Sequence, residues 1–178
     1  VWDIELRVRD EDGPVSMSFS MEGVFPVENH IVLLNMLTRD IISIEETPSI
    51  IFEQNWNKLP FYPFKIIAGT PEYVSFTTQE ILSQLPEKFS LHQNYPNPFN
   101  PTTTIKFDLP EPSQISLKIY NLIGQEVRTL TNEWLPTGSH RLLWNGTDQR
   151  GIPVSTGVYI YRLESHYFNQ SKKMVLLK

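Results

Sequence analysis

Alternation of apolar and polar side chains is the most regular feature of the chain. Apolar residues occupy every second position over residues 2–8, and the alternation returns over residues 15–21. A period of two residues is typical of a β-strand with one buried and one solvated face. Between the two segments lie the acidic residues 10–12, followed by Gly13 and Pro14, which is turn chemistry. The pattern therefore predicts a β-hairpin with a long loop.

Short apolar segments rich in β-branched residues continue this pattern. They lie at residues 31–37, 40–45, 49–53, 61–68 and 72–77. A run of this length does not separate a strand from a buried helical turn, so residues 31–37 stay open to both and residues 78–85 are compatible with a helical turn. Many short strands with frequent turns favour a β-sandwich.

Proline interrupts the alternation over residues 85–101, where it occurs four times. Each proline lacks a backbone N–H and pushes the preceding residue toward extended conformations. We interpret this stretch as a stiff connector whose aromatic side chains, Phe89, Tyr95 and Phe99, pack on the domain that follows. Five or six strands are predicted after it, at residues 104–109, 115–121, 125–130, 139–144, 158–164 and 168–177.

Charge divides the chain close to the same place. Residues 1–88 carry 6 Lys and Arg against 14 Asp and Glu, whereas residues 89–178 carry 9 against 6. A length of 178 residues suffices for two small domains. We therefore predict an all-β chain of two tandem β-sandwich domains, residues 1–88 and 89–178, joined by the proline-rich connector. Neither half has the dense basic stripe that nucleic acid requires, and no apolar run reaches the roughly 18 residues of a transmembrane segment.

The chain contains no cysteine. This excludes disulfides, thiolate metal sites and cysteine nucleophiles, and it fits a cytosolic protein or an exported bacterial one that folds without oxidation. The first residues do not resemble a signal peptide. We expect the chain to be the tail of a longer protein, with any export signal upstream.

No residue pattern predicts a catalytic site, a cofactor or a metal. The four histidines are far apart in sequence and lack the spacing of a metal site, so we interpret them as surface or turn residues. They are His30, His92, His140 and His166. No serine lies in a Gly-x-Ser-x-Gly motif, and no glycine-rich phosphate loop is present.

Three weaker candidates stay open. Residues 10–12 are either calcium ligands or a solvated hairpin tip. Asp148 is either a cation ligand or the acceptor of backbone N–H groups in a turn closed by Gly151. A cluster of aromatic residues is either a platform for a sugar or a partner, or ordinary packing. It comprises Trp56, Phe61 and Tyr62.

Five segments of the second half carry a family resemblance. They are residues 93–102 (QNYPNPFNPT), 119–127 (IYNLIGQEV), 138–144 followed by Gly146, Asp148 and Gly151, 155–162 (STGVYIYR) and 172–178 (KKMVLLK). In this order they resemble the type A C-terminal sorting domain of the type IX secretion system. Residues 64–70 resemble the closing strand of modules that often precede such domains, which implies a first β-sandwich of unknown binding role.

The resemblance implies an immunoglobulin-like sandwich related to the domain of flagellar hook-capping proteins. It also implies recognition by outer-membrane secretion machinery in Bacteroidetes-like bacteria, and attachment of the cargo to surface lipopolysaccharide. In this interpretation the proline-rich segment sets the approach to the domain, the glycines shape hairpins, and the terminal strand with its lysines is the recognition surface. The predicted recognition residues are Asn94, Tyr95, Pro96, Asn97, Pro98, Phe99, Asn100, Pro101, Gly124, Gly151, Gly157, Lys172, Lys173 and Lys178.

The leading hypothesis is a non-catalytic region that directs export and surface attachment, with an extracellular or cell-surface location. One alternative is a structural subunit that assembles into a filament or surface layer by strand addition, since the net charges of −8 and +3 favour self-association head to tail. Another is the tail of a secreted hydrolase whose catalytic domain lies upstream. Within these residues we expect no enzymatic turnover.

Overall fold

The computed structural model describes residues 2–6, 15–18, 28–45, 49–52 and 62–177. The chain divides into two compact units, Val1–Gln84 and Leu85–Lys178. The described residues contain thirteen strands and one helix, so the predicted all-β class is confirmed. Residues 10–12 and the aromatic cluster at Trp56 and Phe61 lie outside the described residues, and so does Lys178.

The first unit contains two antiparallel sheets. One has four strands in the order β1-β6-β3-β4, and the other pairs β2 with β5. The strands are β1 (Trp2–Leu6), β2 (Val15–Ser18), β3 (His30–Asn35), β4 (Ile41–Ser43), β5 (Ser49–Phe52) and β6 (Tyr62–Gly69). The predicted hairpin of β1 with β2 is wrong, because each pairs with a strand distant in sequence. Alternation assigns side chains to the faces of a strand, but it does not select the partner strand.

The only helix in the described part of the chain is α1 (Pro71–Gln84), and it replaces the strand predicted at residues 72–77. The hydroxyl of Thr70 accepts the backbone N–H of Tyr73 at 3.3 Å, which caps the first turn. Pro71 occupies the first helical position, which tolerates its missing N–H. Val74 and Thr78, four residues apart, are the buried face against β3 and β6. The capping signal thus outweighs the β-branched composition of the segment.

The second unit is a sandwich of two antiparallel sheets with strand orders β10-β9-β12-β13 and β11-β8-β7. Its strands are β7 (Ser90–Leu91), β8 (Thr103–Leu109), β9 (Ser113–Tyr120), β10 (Glu126–Leu135), β11 (Gly138–Trp144), β12 (Gly157–Glu164) and β13 (Asn169–Leu176). All six strands predicted here are confirmed. The two-residue strand β7 was not predicted.

The core of this sandwich follows directly from alternation. Every second residue of β8, β9 and β12 is buried, so the inner faces of both sheets supply one apolar layer. Trp144 lies within it, with its ring 5.5 Å from that of Phe99 and 5.2 Å from that of Tyr159. Its indole N–H donates to the carbonyl of Thr147 at 2.9 Å. Strands β8 and β12 begin at one end of the sandwich, and strands β9, β11 and β13 terminate there. We call this end of the sandwich the motif end.

Candidate functional site

Residues 94–101, here called the proline loop, lie at the motif end, immediately before β8. The segment from Leu85 onward belongs wholly to the second unit, so its interpretation as a connector between the units is wrong. Phe99 is buried, and the ring of Phe89 stacks on Phe168 at 5.4 Å, as predicted for docked aromatics. Tyr95 is 82% exposed, so the same prediction is wrong for its side chain.

Asn94 anchors the start of the proline loop in the core. Its side chain is buried and donates to the hydroxyl of Thr103 at 2.9 Å and to the carbonyl of Pro96 at 3.0 Å. Its backbone N–H donates to the hydroxyl of Tyr161 at 2.9 Å, and that hydroxyl donates to the carbonyl of His92 at 2.8 Å. Burial raises the pKa of Tyr161 to about 12, so the phenol is neutral and serves as both donor and acceptor.

The far part of the proline loop is bonded to the last strand of the sheet. The side-chain oxygen of Asn97 accepts the backbone N–H of Val175 at 2.9 Å. The N–H of Phe99 donates to the carbonyl of Val175, and the N–H of Leu177 donates to the carbonyl of Phe99, both at 2.9 Å. The segments predicted as the opening and closing recognition motifs therefore form one structure, here called the loop–strand composite.

Two of the predicted glycines shape tight turns at the motif end. Gly124 has φ +80° in the turn between β9 and β10, where Asn121 accepts backbone N–H groups. Gly151 has φ +81°, and its N–H donates to the carbonyl of Asp148 at 3.0 Å. Glycine adopts such φ values without steric cost.

Asp148 acts as the acceptor within its turn. Its carboxylate accepts the backbone N–H groups of Ile152 and Arg150, each at 2.9 Å. These bonds, that of Ile152 first, hold the pKa of Asp148 below its ordinary value. Of the two alternatives left open by the sequence, the geometry matches the backbone acceptor. Among residues 28–45 and 62–177, no group of three or more metal-ligating side chains converges.

The third predicted glycine has no special conformation, whereas one outside the predicted set does. Gly157 lacks a positive φ, and a Cβ added there meets no atom within 4 Å, so the structure shows no need for glycine at this position. Gly146 has φ +69°, and an added Cβ would lie 3.1 Å from the carbonyl oxygen of Pro101. This close approach supports the end of the proline loop. The sequence signal was the Asn145-Gly146 pair, which is typical of tight turns.

The two described lysines of the predicted recognition surface do not form a single patch. Lys172 lies opposite Tyr161 and Lys173 opposite Ile160 in the pairing of β13 with β12. Because successive side chains of a strand point to opposite faces, the two ammonium groups diverge. Of the two, only Lys173 is exposed. The side chain of Gln93, which precedes the proline loop, donates a hydrogen bond of 2.8 Å to the backbone carbonyl of Lys173.

A series of hydrogen bonds not predicted from the sequence lies on the outer face of β8. The imidazole of His92 and the hydroxyl of Ser139 both contact the carboxylate of Asp108. Burial raises the pKa of Asp108, but the hydrogen bonds from Ser139 and His92 outweigh it and the pKa is lowered. Ser139 contacts the carboxylate and not the imidazole, so the order differs from a nucleophile–base–orienter arrangement. The series joins β11, β8 and the residues after β7.

In the first unit, a groove of about 780 Å³ lies between α1 and the strands β3 and β4. Its lining is mainly apolar, and includes Val32, Ile41, Val74 and Leu82, with His30 at its margin. The imidazole of His30 lies 3.3 Å from the carboxylate of Glu45. In the part of the chain that the structure describes, no helix has the length and apolar character to cross a membrane.

Residues 94–167 match the family model described as the FlgD Ig-like domain. The second unit is therefore an immunoglobulin-like β-sandwich, and the predicted relationship to the domain of flagellar hook-capping proteins is confirmed. The match covers less than half of the chain. A comparison with curated proteins finds no match.

Three solved structures are similar to parts of the chain. FLGD from P. aeruginosa is 20% identical, with a TM-score of 0.34 over 42% of this chain and 57% of that one. PorZ, a surface component of the type IX secretion system of Porphyromonas gingivalis, is 19% identical, with a TM-score of 0.37 over 67% and 14%. Dimeric latent PorU from Porphyromonas gingivalis is 15% identical, with a TM-score of 0.42 over 86% and 13%. This chain thus spans a little over half of the first protein and about a seventh of the other two.

Proposed function

We propose that the second unit is a non-catalytic sorting domain of a secreted bacterial protein. It directs export through the outer-membrane machinery of the type IX secretion system and places the protein at the cell surface. The observation that carries this proposal is the loop–strand composite, in which residues 94–101 are bonded to the end of β13. Both segments belong to the motifs that resemble a type A sorting domain, although they lie at opposite ends of the domain sequence.

The composite suits recognition of a folded domain. Buried residues hold it in place, since Asn94 and Phe99 are each 2% exposed. The side chains between and after them face solvent, including Tyr95, Pro98 and Asn100. A rigid surface of this kind presents its contacts without the conformational entropy that a flexible tail would lose on binding. An export machinery that binds it selects cargo whose sorting domain has folded.

The buried polar groups that hold the composite in place are used in structural hydrogen bonds, which supports a binding role over a catalytic one. The amide of Asn94, the hydroxyl of Thr103 and the phenol of Tyr161 each have partners within the domain. A general base or nucleophile needs a group free to contact a substrate. Attachment to lipopolysaccharide stays a prediction from the resemblance.

The test is export of a reporter enzyme that carries a signal peptide at its start and residues 85–178 at its end. It is expressed in a bacterium with a type IX system and in an isogenic strain that lacks the translocon. We expect reporter activity outside the wild-type cells and in the periplasm of the mutant. Equal export from both strains, or equal export without residues 85–178, would overturn the proposal.

Two matched variants connect the result to the composite. Asn97→Ala removes the acceptor for the Val175 N–H, whereas Asn100→Ala changes an exposed asparagine in the same loop for which no bond within the domain is seen. We expect Asn97→Ala to reduce export and Asn100→Ala to retain it. Protease resistance of both purified domains shows whether a loss of export follows from unfolding.

A further inference from the structure

The sandwich of the second unit has four edge strands, β10 and β13 in one sheet and β11 and β7 in the other. The outer side of an edge strand presents unpaired backbone N–H and C=O groups, which another polypeptide can bind as an added strand. Proteins commonly protect such edges with bulges, short strands or covering segments. Three of the four edges here are protected in these ways.

The proline loop covers the edge of β13. Both backbone groups of Val175 are engaged by Asn97 and Phe99, and the carbonyl of Lys173 accepts the side chain of Gln93. Strand β7 has two residues, which is too short to support an added strand. Neither edge offers a continuous row of free groups.

Bulges and a loop interrupt the edge of β10. Its register with β9 shifts between Glu126 and Arg128 and again between Thr129 and Thr131. The segment after β11 lies against this edge, where the N–H of Gln149 donates to the carbonyl of Val127 at 3.1 Å. The Gln149 side chain also accepts the N–H of Thr129 at 3.1 Å.

Strand β11 differs from the other three edges. It pairs with β8 in one continuous register over its full length, from Gly138 opposite Leu109 to Trp144 opposite Thr103. An unbroken strand of this length has the size that strand addition requires. The direction of its backbone groups then determines which residues are available.

The pairing of β8 shows where the backbone groups of β11 point. Thr104 exchanges two backbone hydrogen bonds with Tyr95, both of 2.9 Å, and the carbonyl of Lys106 accepts the N–H of His92. Even-numbered residues of β8 therefore direct their backbone groups away from β11, and odd-numbered residues direct theirs toward it. Odd-numbered residues of β8 lie opposite even-numbered residues of β11. The odd-numbered residues of β11 thus direct their N–H and C=O outward.

These outward-facing residues are Ser139, Arg141 and Leu143, and all three are exposed. Within the described chain, no hydrogen bond engages their backbone groups outside the pairing with β8. Leu143 is 63% exposed, so its side chain is available for contact with an added strand. The edge thus combines free backbone groups with an exposed apolar side chain.

The charge beside this edge is positive. Arg141 lies opposite Lys106, whose ammonium group is 3.9 Å from the carboxylate of Asp108. The nearby carboxylate of Asp108 is already engaged by His92 and Ser139. Among the described residues, no carboxylate pairs with Arg141. A cross-strand carboxylate opposite Arg141 would therefore be stabilising.

The same geometry disfavours a second copy of this strand as the occupant. Only one antiparallel register pairs all three outward-facing residues of two β11 strands with each other. That register places Arg141 opposite the same residue of the other copy, and like charges directly opposite are destabilising. The edge suits an acidic strand better than it suits itself.

We propose that the outer edge of β11 binds an extended acidic segment of another polypeptide as an additional antiparallel strand. A carboxylate of that segment lies opposite Arg141, and an apolar side chain lies beside Leu143. This surface differs from the loop–strand composite and does not depend on the proposed sorting function.

The probe is a pair of capped seven-residue peptides, with valine at the second and sixth positions and threonine elsewhere. The fourth residue is glutamate in one peptide and lysine in the other. Binding to the full chain is measured by NMR, together with amide hydrogen exchange. We expect the glutamate peptide to bind about fivefold more tightly, as for a cross-strand charge pair, and to slow exchange at Ser139, Arg141 and Leu143.

Two variants test the assignment with folded protein. Arg141→Glu should reverse the preference, so that the lysine peptide binds more tightly, which an unfolded variant would not do. Leu143→Pro removes one outward N–H and should therefore weaken the binding of both peptides. The variant should still fold, because proline is tolerated at a solvent-facing edge position. Equal binding of the two peptides, or protection at β10 or β13 instead of β11, overturns the proposal. If protection of β11 increases with protein concentration in the absence of peptide, the edge pairs with a second copy of the chain, and this result also overturns the proposal.

Discussion

The side-chain oxygen of Asn97 accepts the backbone N–H of Val175 at 2.9 Å across a sequence separation of 78 residues. The bond satisfies a backbone group on the outer side of β13, where a further strand would otherwise bind. It also ties an exposed loop to the last strand of the sheet. One contact therefore both completes the edge of β13 and holds the proline loop in place.

Asn97→Ala should lower the free energy of unfolding of the second unit by about 1 kcal/mol, the usual contribution of one hydrogen bond. Asn100→Ala is the matched control and should change it by less than about 0.5 kcal/mol. Urea denaturation of the domain measures both values. Equal values for the two variants would show that the bond to Val175 does not contribute.

Tyr161→Phe should be more destabilising, by about 2 kcal/mol, since it leaves one buried and one partly buried backbone group without a partner. These are the N–H of Asn94 and the carbonyl of His92. Tyr167→Phe, at a position that is 81% exposed, is the control. If the two variants unfold at the same urea concentration, water replaces the phenol without cost.

The pKa of Tyr161 predicts how stability depends on alkaline pH. The pKa is raised from 10.0 to about 12 in the folded domain. The stability that the neutral phenol contributes is fully present below the pKa of the unfolded chain. It is lost as the pH rises through the pKa of the folded domain. Unfolding measured between pH 9 and 12 should show this loss in the wild type and a smaller loss in Tyr161→Phe. Parallel curves would contradict the assignment.

Gly146→Ala and Gly157→Ala form a pair that tests backbone conformation. Gly146 has φ +69° and faces the carbonyl of Pro101, so we expect alanine to cost about 1–3 kcal/mol. Gly157 has neither feature, so alanine should change stability by less than about 0.5 kcal/mol. Thermal unfolding of both variants measures the difference. A larger effect at Gly157 would reverse the interpretation.

Asp148→Asn should reduce the loss of stability in acid. The pKa of Asp148 is held below its ordinary value of 3.8, mainly by the N–H of Ile152. A carboxylate whose pKa is lowered by folding stabilises the folded domain at any pH above its ordinary pKa. This stabilisation is lost as the pH falls through the pKa of the folded domain. The midpoint of acid unfolding is compared with that of Glu111→Gln, which removes a carboxylate at the other end of the sandwich. No difference between these variants would exclude a role for the turn carboxylate.

Alternation along the chain was sufficient to predict the sandwich core. The buried positions of β8 and β12 follow a strict period of two, and residues such as Phe107 and Tyr161 could be assigned inward from the sequence. The helix was missed because Tyr73, Val74 and Phe76 are aromatic or β-branched, while the cap by Thr70 depends on a single hydroxyl. Local composition and local capping disagreed, and the tertiary contacts of Val74 favoured the cap.

The loop–strand composite was predictable only as separate pieces. The motifs around Asn97 and Val175 are visible in the sequence, but no periodicity connects residues so far apart. The exposure of Tyr95 was unexpected for the same reason, because a docked aromatic and an exposed one have the same sequence context. The open edge of β11 depends on which backbone groups point outward, and that follows from the strand order, which hydrophobic patterning does not contain.

The bond between Asn97 and Val175 has a consequence for the order in which the domain can form during synthesis. The composite cannot form until both the proline loop and β13 have left the ribosome, because one half supplies the acceptor and the other the donor. A product truncated before residue 169 lacks the strand, and Phe99 then has no partner for its backbone groups. The composite therefore forms only in a chain that contains both ends of the domain.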